Sequence, residues 1–304
     1  MSELRVSLFG DVRVIHVGHG TELKVIHTVQ ALLAFLLIHR HRRHAREVLV
    51  DLFWGEHDHE RARHCLNTTL WRLRRVLEPA GIAHDTYLVT SGSGEIGFNC
   101  ASIFWLDVAV FEETVQEFIT RPIETISPTD VERLEAALQL YTGELLEGFY
   151  DDWALRERER LRMLYLNSLV WLMRFYRQQG NHEQSLGCGQ KIVRLDPLRE
   201  DIHREIMRLY LESGQRALAV QQYEVCRSLL ASELGIPPMA ETQLLYNQMS
   251  AASDSNPFIN TTDIYTILLQ TLKRLHLTRQ EFDSAHEQLE RSIQLIEQLT
   301  ARRE

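Results

Sequence analysis

Five arginines and no acid fall between residues 61 and 75, in the run Arg61-Ala62-Arg63-His64-Cys65-Leu66-Asn67-Thr68-Thr69-Leu70-Trp71-Arg72-Leu73-Arg74-Arg75. Guanidinium groups at this density, with no carboxylate to neutralise them, suit a polyanion. The side chains between them suit DNA: Arg pairs bidentately with guanine and Asn with adenine, while Ser and Thr hydroxyls commonly bind phosphate. At about 100° per residue, Leu66, Leu70, Leu73 and Leu77 share one stripe of a helix. Arg61, His64, Thr68, Trp71, Arg72 and Arg75 project away from that stripe, flanked by Asn67 and Arg74. The segment alone leaves two readings open: a helix laid in a DNA groove, or the solvated charged face of an ordinary core helix.

Other candidate chemistry is weaker. Gly92, Gly94 and Gly97 satisfy GxGxxG, but a dinucleotide fingerprint needs a helix to open immediately after it, and residues 96–100 read as a strand. His57, His59, His64 and Cys65, with Asp58 and Glu60, are zinc-ligand types. The interval from His59 to His64 is one residue longer than in HExxH and turns the two rings onto different helix faces, so no metal is expected. His39, His41 and His44 alternate with Arg40, Arg42 and Arg43 in a polar inter-helix turn that can approach phosphate, and protonation below about pH 6.5 would add charge there. Asp151, Asp152, Glu157 and Glu159 sit beside Arg156, Arg158 and Arg160, which reads as surface pairing along a helix. No P-loop or nucleophile-base arrangement stands out. The expectation is a protein that is not an enzyme, with no catalytic residue and no cofactor.

The elements that would position the basic segment follow from pattern. Residues 4–9 and 12–17 read as strands about Gly10-Asp11, followed by a Gly18-His19-Gly20 turn and a strand at 23–26. Helices are expected at 28–39, at 45–54 ended by Gly55, and at 60–78 ended by Pro79 and Gly81. Strands at 87–90 and 95–99 then flank a Ser91-Gly92-Ser93-Gly94 turn. Sheet, three helices and a closing hairpin describe a winged helix, with Ser91 and Ser93 at the tip of the wing.

Beyond residue 107 the pattern is helical. Ser127-Pro128 opens a helix expected to reach Thr142. Leu172-Met173-Arg174-Phe175-Tyr176 before Gly180 reappears as Ile206-Met207-Arg208-Leu209-Tyr210 before Gly214, an offset of 34 residues and the period of tetratricopeptide helix pairs. Residues 250–262 read as a connector. Residues 263–276 and 279–299 read as a helix pair with Thr278 and Glu281 at capping-box spacing, either a cap on the repeats or a pairing surface for a second subunit. The expected fold is mostly α: an α+β winged helix over 1–105, an all-α tetratricopeptide-like domain over 106–250, and a linker with a helical hairpin over 251–304.

Composition fits this division. The 304 residues are 44% hydrophobic and 25% charged with a net charge of −9, as in an ordinary soluble protein of two or three domains. Residues 1–105 carry 12 Lys and Arg against 11 Asp and Glu, whereas the remainder carries 21 against 31, so the excess acid lies outside the basic segment. Four dispersed cysteines without CxxC spacing, no leader and no membrane segment lead to the expectation of a cytoplasmic protein with no membrane partner.

These residues carry a resemblance. The chain resembles the SARP family, the Streptomyces antibiotic regulatory proteins, which join an OmpR/PhoB-type (OmpR-like) winged helix to a bacterial transcriptional activator domain (BTAD). The first part is similar through LRVSLFGDVRV, Leu52-Phe53-Trp54, Asn67, the run Trp71 to Leu77, and Leu106-Asp107 with Phe111. The second is similar through LYTGELLEGFYDDWALRERERL, VRLDPLREDIHREIMRLYLESGQRALAVQQYE and LLASELGIPPMAET, so that together they cover about residues 4 to 249. The resemblance implies a transcriptional activator that binds promoter repeats in double-stranded DNA, as a homodimer or cooperative assembly, and recruits RNA polymerase through its sigma or alpha subunits. It places Asn67, Trp71, Arg72, Arg74 and Arg75 in the recognition helix and residues 91–94 at the wing tip. The wing departs from a basic pattern, having no Arg or Lys in its turn. No receiver module is expected before the winged helix and no ATPase module after the helical domain, so control would come from abundance, a partner or a ligand. The alternative is a tetratricopeptide-like interaction scaffold with a degenerate winged helix that binds no DNA.

Overall fold

The computed structural model describes residues 3–17, 21–22 and 26–251. The expected turn at 18–20, the connector beyond 251 and the C-terminal hairpin lie outside the described residues. Two compact units divide the chain, Met1–Trp171 and Leu172–Glu304.

In the first unit, β1 (Leu4–Ser7) pairs antiparallel with β2 (Arg13–His16), which pairs with β3 (Thr21–Glu22). Strand β3 is therefore earlier than the strand expected at 23–26, whose Ile26 instead caps the next helix. Helix α1 (His27–Ile38) buries Val29 and every residue from Ala31 to Ile38, as a helix apolar on nearly all sides must. Helix α2 (Arg46–Trp54) is followed by α3 (His59–Leu77), whose Asp58 cap accepts from the Arg61 amide at 3.0 Å. The wing strands β4 (Leu88–Thr90) and β5 (Ile96–Phe98) pair antiparallel, with Val89 opposite Gly97. Strand β6 (Phe104–Leu106) then returns parallel to β1, giving a sheet of order β3-β2-β1-β6.

Packing does not break at residue 105. Helix α4 (Asp107–Ile119) begins with a buried carboxylate that accepts from the amides of Leu8 at 2.8 Å and Phe9 at 3.0 Å. Burial pushes the Asp107 carboxyl above its usual range, against the pull of these amides. Helix α5 (Pro128–Leu138) opens with a Ser127–Asp130 capping box and stops short of Thr142. The chain leaves the helix there to run back along the end of β1: the Gly10 amide donates to Glu144 O at 2.8 Å, the Leu146 amide donates to Leu8 O at 2.9 Å, and Phe9 bridges Leu145. Gly143 permits this approach, since a Cβ there would stand 3.2 Å from Gly10 Cα and crowd the Glu147 carboxylate. Helix α6 (Asp152–Gln178) starts in this unit, placing Trp153 edge-on to Phe35 of α1 at 5.3 Å.

The second unit takes in the end of α6, then α7 (His182–Leu195), α8 (Glu200–Glu212), α9 (Arg216–Leu234) and α10 (Ala240–Ala251). The 34-residue repeat is visible atom by atom. Gly180 and Gly214 both end their helices in left-handed conformation, φ 72° and 71°. The Asn181 amide donates to Tyr176 O at 2.8 Å, and the Gln215 amide to Tyr210 O at 2.7 Å, the same helix-terminating bond in both. The result is a tetratricopeptide-like stack, with an open groove of about 920 Å³ between α7 and α9.

Candidate nucleic-acid interface

Helix α3 separates its two faces as its spacing predicts. Leu66, Leu70, Leu73 and Leu77 are buried, and Ala62 and Thr69 join them. Arg61, Arg63, His64, Asn67, Trp71, Arg72 and Arg75 are exposed and Thr68 is half-buried. Trp71 leaves 58% of its surface in solvent, an unusual cost for the largest aromatic side chain, and the Arg75 guanidinium lies 5.4 Å from its ring centre. The leucine seam thus fixes the helix, while a row of donors and one large ring stands outward.

Arg74 belongs to a different set. Its guanidinium lies 2.7 Å from Asp85, 2.9 Å from the Thr90 hydroxyl and 3.8 Å from Glu78, so it ties the end of α3 to the wing. This contact with Arg74 holds the Asp85 carboxyl below its usual range. Glu78 completes the joint by accepting from the amides of Tyr87 at 2.9 Å and Leu88 at 3.1 Å. Arg74 lies on α3 as expected, and in the free chain its guanidinium also positions that helix against the wing through Asp85 and Thr90.

The wing tip is also internally satisfied. The hydroxyls of Ser91 and Ser93 lie 2.7 Å apart, Ser93 donates to the Glu95 carboxylate at 3.0 Å, and the Glu95 amide donates back to Ser91 Oγ at 3.1 Å. Ser91 and Ser93 therefore bracket an acid. Gly94 takes a left-handed φ of 85° in this turn, and a strand follows it, as the hairpin reading of the three glycines requires.

The connection between α1 and α2 reaches the wing, which the sequence pattern does not reveal. The amides and carbonyls of His44 and Ile96 exchange two hydrogen bonds of 2.8 Å, so residue 44 extends the β4–β5 sheet. Arg40 is buried and paired with Glu113 at 3.0 Å, and so does not face outward. Arg42 and Arg43 are exposed; Arg46 is half-buried and donates to the Asn67 side-chain oxygen. The expected gain of charge below pH 6.5 does not come from the whole histidine cluster. Burial lowers the pKa of His44, with help from Arg42 and His39, and burial lowers that of His39 against the opposing pull of Glu157.

Comparison with known proteins bears on the rest of the chain. Residues 106–249 match the family model described as the bacterial transcriptional activator domain. Over these residues the chain carries a bacterial transcriptional activator domain, in keeping with its resemblance to the SARP type. Among SARP-like relatives, the regulatory protein AfsR of Streptomyces coelicolor is 30% identical over 227 residues, 73% of this chain and 22% of AfsR. The transcriptional regulatory protein MoaR1 of Mycobacterium tuberculosis is 23% identical over 238 residues, 72% of this chain and 71% of MoaR1. The chain thus spans about a fifth of the length of AfsR. A solved structure of Mycobacterium tuberculosis EmbR, in complex with a low-affinity phosphopeptide, shares the fold, with a TM-score of 0.65 at 20% identity over 89% of this chain and 72% of that one. These relatives are named as regulators and none as an enzyme. Among the described residues no helix is long and apolar enough to cross a membrane.

Proposed function

We propose that this chain is a SARP-type, sequence-specific DNA-binding transcriptional activator, in which α3 enters a major groove and the helical repeats engage RNA polymerase or a second copy of the chain. The observation that carries the reading is the two-faced α3: four leucines buried beneath Arg61, His64, Asn67, Trp71, Arg72 and Arg75, all exposed. Arg72 and Arg75 are the base-reading candidates, because neither guanidinium is paired with an acid among the described residues. Thr68 and Asn67 stand beside them, and Arg74 holds the helix against the wing. Binding at promoter repeats, contact with sigma or alpha subunits and a cytoplasmic site of action accompany the reading, supported by relatives named as transcriptional regulators.

The test is fluorescence anisotropy on DNA from upstream of its own gene at two salt concentrations. The expected result is binding that weakens at higher salt, as counterion release demands. Arg72→Ala or Arg75→Ala should each cost about 1–3 kcal/mol on the cognate site with an unchanged circular dichroism spectrum. Binding to no DNA at either salt concentration would leave the interaction scaffold as the better reading.

A further inference from the structure

The wing has a hairpin's shape but no cation of its own. Between Thr90 and Asn99 it contains one ionisable residue, Glu95, and that carboxylate gathers the Ser91 and Ser93 hydroxyls. A hairpin placed against the phosphate backbone beside an occupied groove needs positive charge. The structure supplies it from another element. The His44–Ile96 bridge ties the α1–α2 connection to the edge of β5 at one residue. Arg43 then crosses the wing at Gly97, where a Cβ would stand 3.1 Å from Arg43 Cγ and 3.5 Å from Arg42 O. Arg46 reaches the turn, its Cδ 3.9 Å from where a Cβ on Gly94 would lie, and also bonds Asn67 of α3.

Of the three glycines that imitate a nucleotide-binding fingerprint, Gly97 thus leaves room for the Arg43 stem, while Gly94 serves the left-handed turn and lies within ordinary contact of Arg46. Neither Arg43 nor Arg46 is ion-paired among the described residues, whereas Arg40, Arg63 and Arg74 meet Glu113, Glu47 and Asp85. On meeting a phosphate neither guanidinium gives up a carboxylate, and Arg46 shares its donors between that phosphate and the Asn67 side-chain oxygen.

We infer that Arg43 and Arg46 form a phosphate-binding site across the wing, gripping the DNA backbone beside the groove that α3 occupies, in place of the wing turn itself. The site rests on the DNA-binding reading of α3 and adds to it a sequence-independent contact from a separate element. Arg46 joins the two surfaces, since it touches both the wing and Asn67.

The experiment titrates the full chain against its upstream duplex and an unrelated duplex of equal length, across a potassium chloride series, with thermal melting as the folding control. The Arg43→Ala/Arg46→Ala variant should bind both duplexes more weakly by a similar factor, and its slope of log K against log salt should shrink by about 2, near 0.9 for each phosphate that is no longer neutralised. Arg43→Lys/Arg46→Lys keeps the charges and should keep most of the slope, which also covers the case of an alanine variant that folds poorly. Ser91→Ala/Ser93→Ala should leave the slope unchanged. The inference is overturned if the alanine pair leaves slope and affinity intact, if affinity falls on the upstream duplex alone, or if the serine pair removes as much of the slope. A wild-type chain that binds neither duplex fails the DNA-binding reading itself, an outcome distinct from normal binding with indifferent arginine variants.

Discussion

At the scale of single residues, burial decides which polar side chains are available and which are structural. Arg72 and Arg74 are two positions apart, yet one is exposed and the other is clamped among Asp85, Glu78 and Thr90. His203 shows the same principle in the helical repeats. It is 1% exposed, with Nε2 2.9 Å from Pro197 O and Nδ1 2.6 Å from Gln222 Nε2. A carbonyl can only accept, so Nε2 carries the proton and Nδ1 accepts from the Gln222 amide, the arrangement of a neutral ring. Burial lowers the His203 pKa, outweighing the Pro197 carbonyl and the nearby Glu200 and Asp201, which raise it. With a folded pKa below the unfolded value near 6.5, the stability this ring contributes is complete above about pH 6.5 and is lost as pH falls toward the folded value. Urea midpoints should therefore drop between pH 6.5 and 5, and His203→Gln should flatten that part of the profile while lowering stability at pH 7.5. An unchanged slope in the variant would show that other groups carry the acid sensitivity.

At the scale of elements, close approach matters more than composition. Helix α7 contains two glycines, which intrinsic propensity counts alike. Their surroundings differ: a Cβ on Gly189 would lie 2.8 Å from Ile206 Cγ1 and 3.1 Å from Met173 Cε, while a Cβ on Gly187 meets nothing within 4 Å. Gly189→Ala should cost about 1–3 kcal/mol by overpacking against the fully buried Ile206. Gly187→Ala should be neutral or stabilise by up to about 1 kcal/mol through helix propensity. Denaturant titration of the pair checks both, and equal effects would contradict the crossing geometry. The same distinction marks what was legible in the sequence. Periodicity and caps located α1 to α3, the wing and the 34-residue repeat, because those depend on neighbours along the chain. The outward set on α3 was legible for the same reason. Pairing between distant segments left no local trace, so the His44–Ile96 bridge, the return of residues 143–149 to β1 and the clamp on Arg74 had no signal beyond polar residues in turns.

At the scale of the molecule, the packing of the winged helix runs past the point where the family boundary falls. The activator-domain match begins at residue 106, yet the first compact unit continues to Trp171. A chain cut at 105 loses the Asp107 carboxylate that binds the Leu8 and Phe9 amides, Phe111 against Phe9 at 5.3 Å, and the Leu145 bridge. It also loses Phe149 stacked on His27 at 4.1 Å and Trp153 against Phe35. Phe111, Leu145, Phe149 and Trp153 are all buried, and at about 1.5–3 kcal/mol each their removal forfeits roughly 6–12 kcal/mol, comparable to the 5–15 kcal/mol stability of an entire domain. Exposing their partners on β1 and α1 would add apolar surface prone to association. A fragment ending at Trp171 should accordingly give a single cooperative urea transition and keep the far-ultraviolet spectrum of a mixed α and β unit. A fragment ending at residue 105 should show no cooperative transition at 25 °C or should aggregate. A cooperative fold in the shorter piece, with a midpoint near that of the longer one, would mean that α4 to α6 lean on the winged helix without stabilising it. The expected outcome instead makes α4, α5 and the first turns of α6 part of the machinery that holds α3 in place, so that substitutions there reach the exposed face of α3 through the stability of the winged helix.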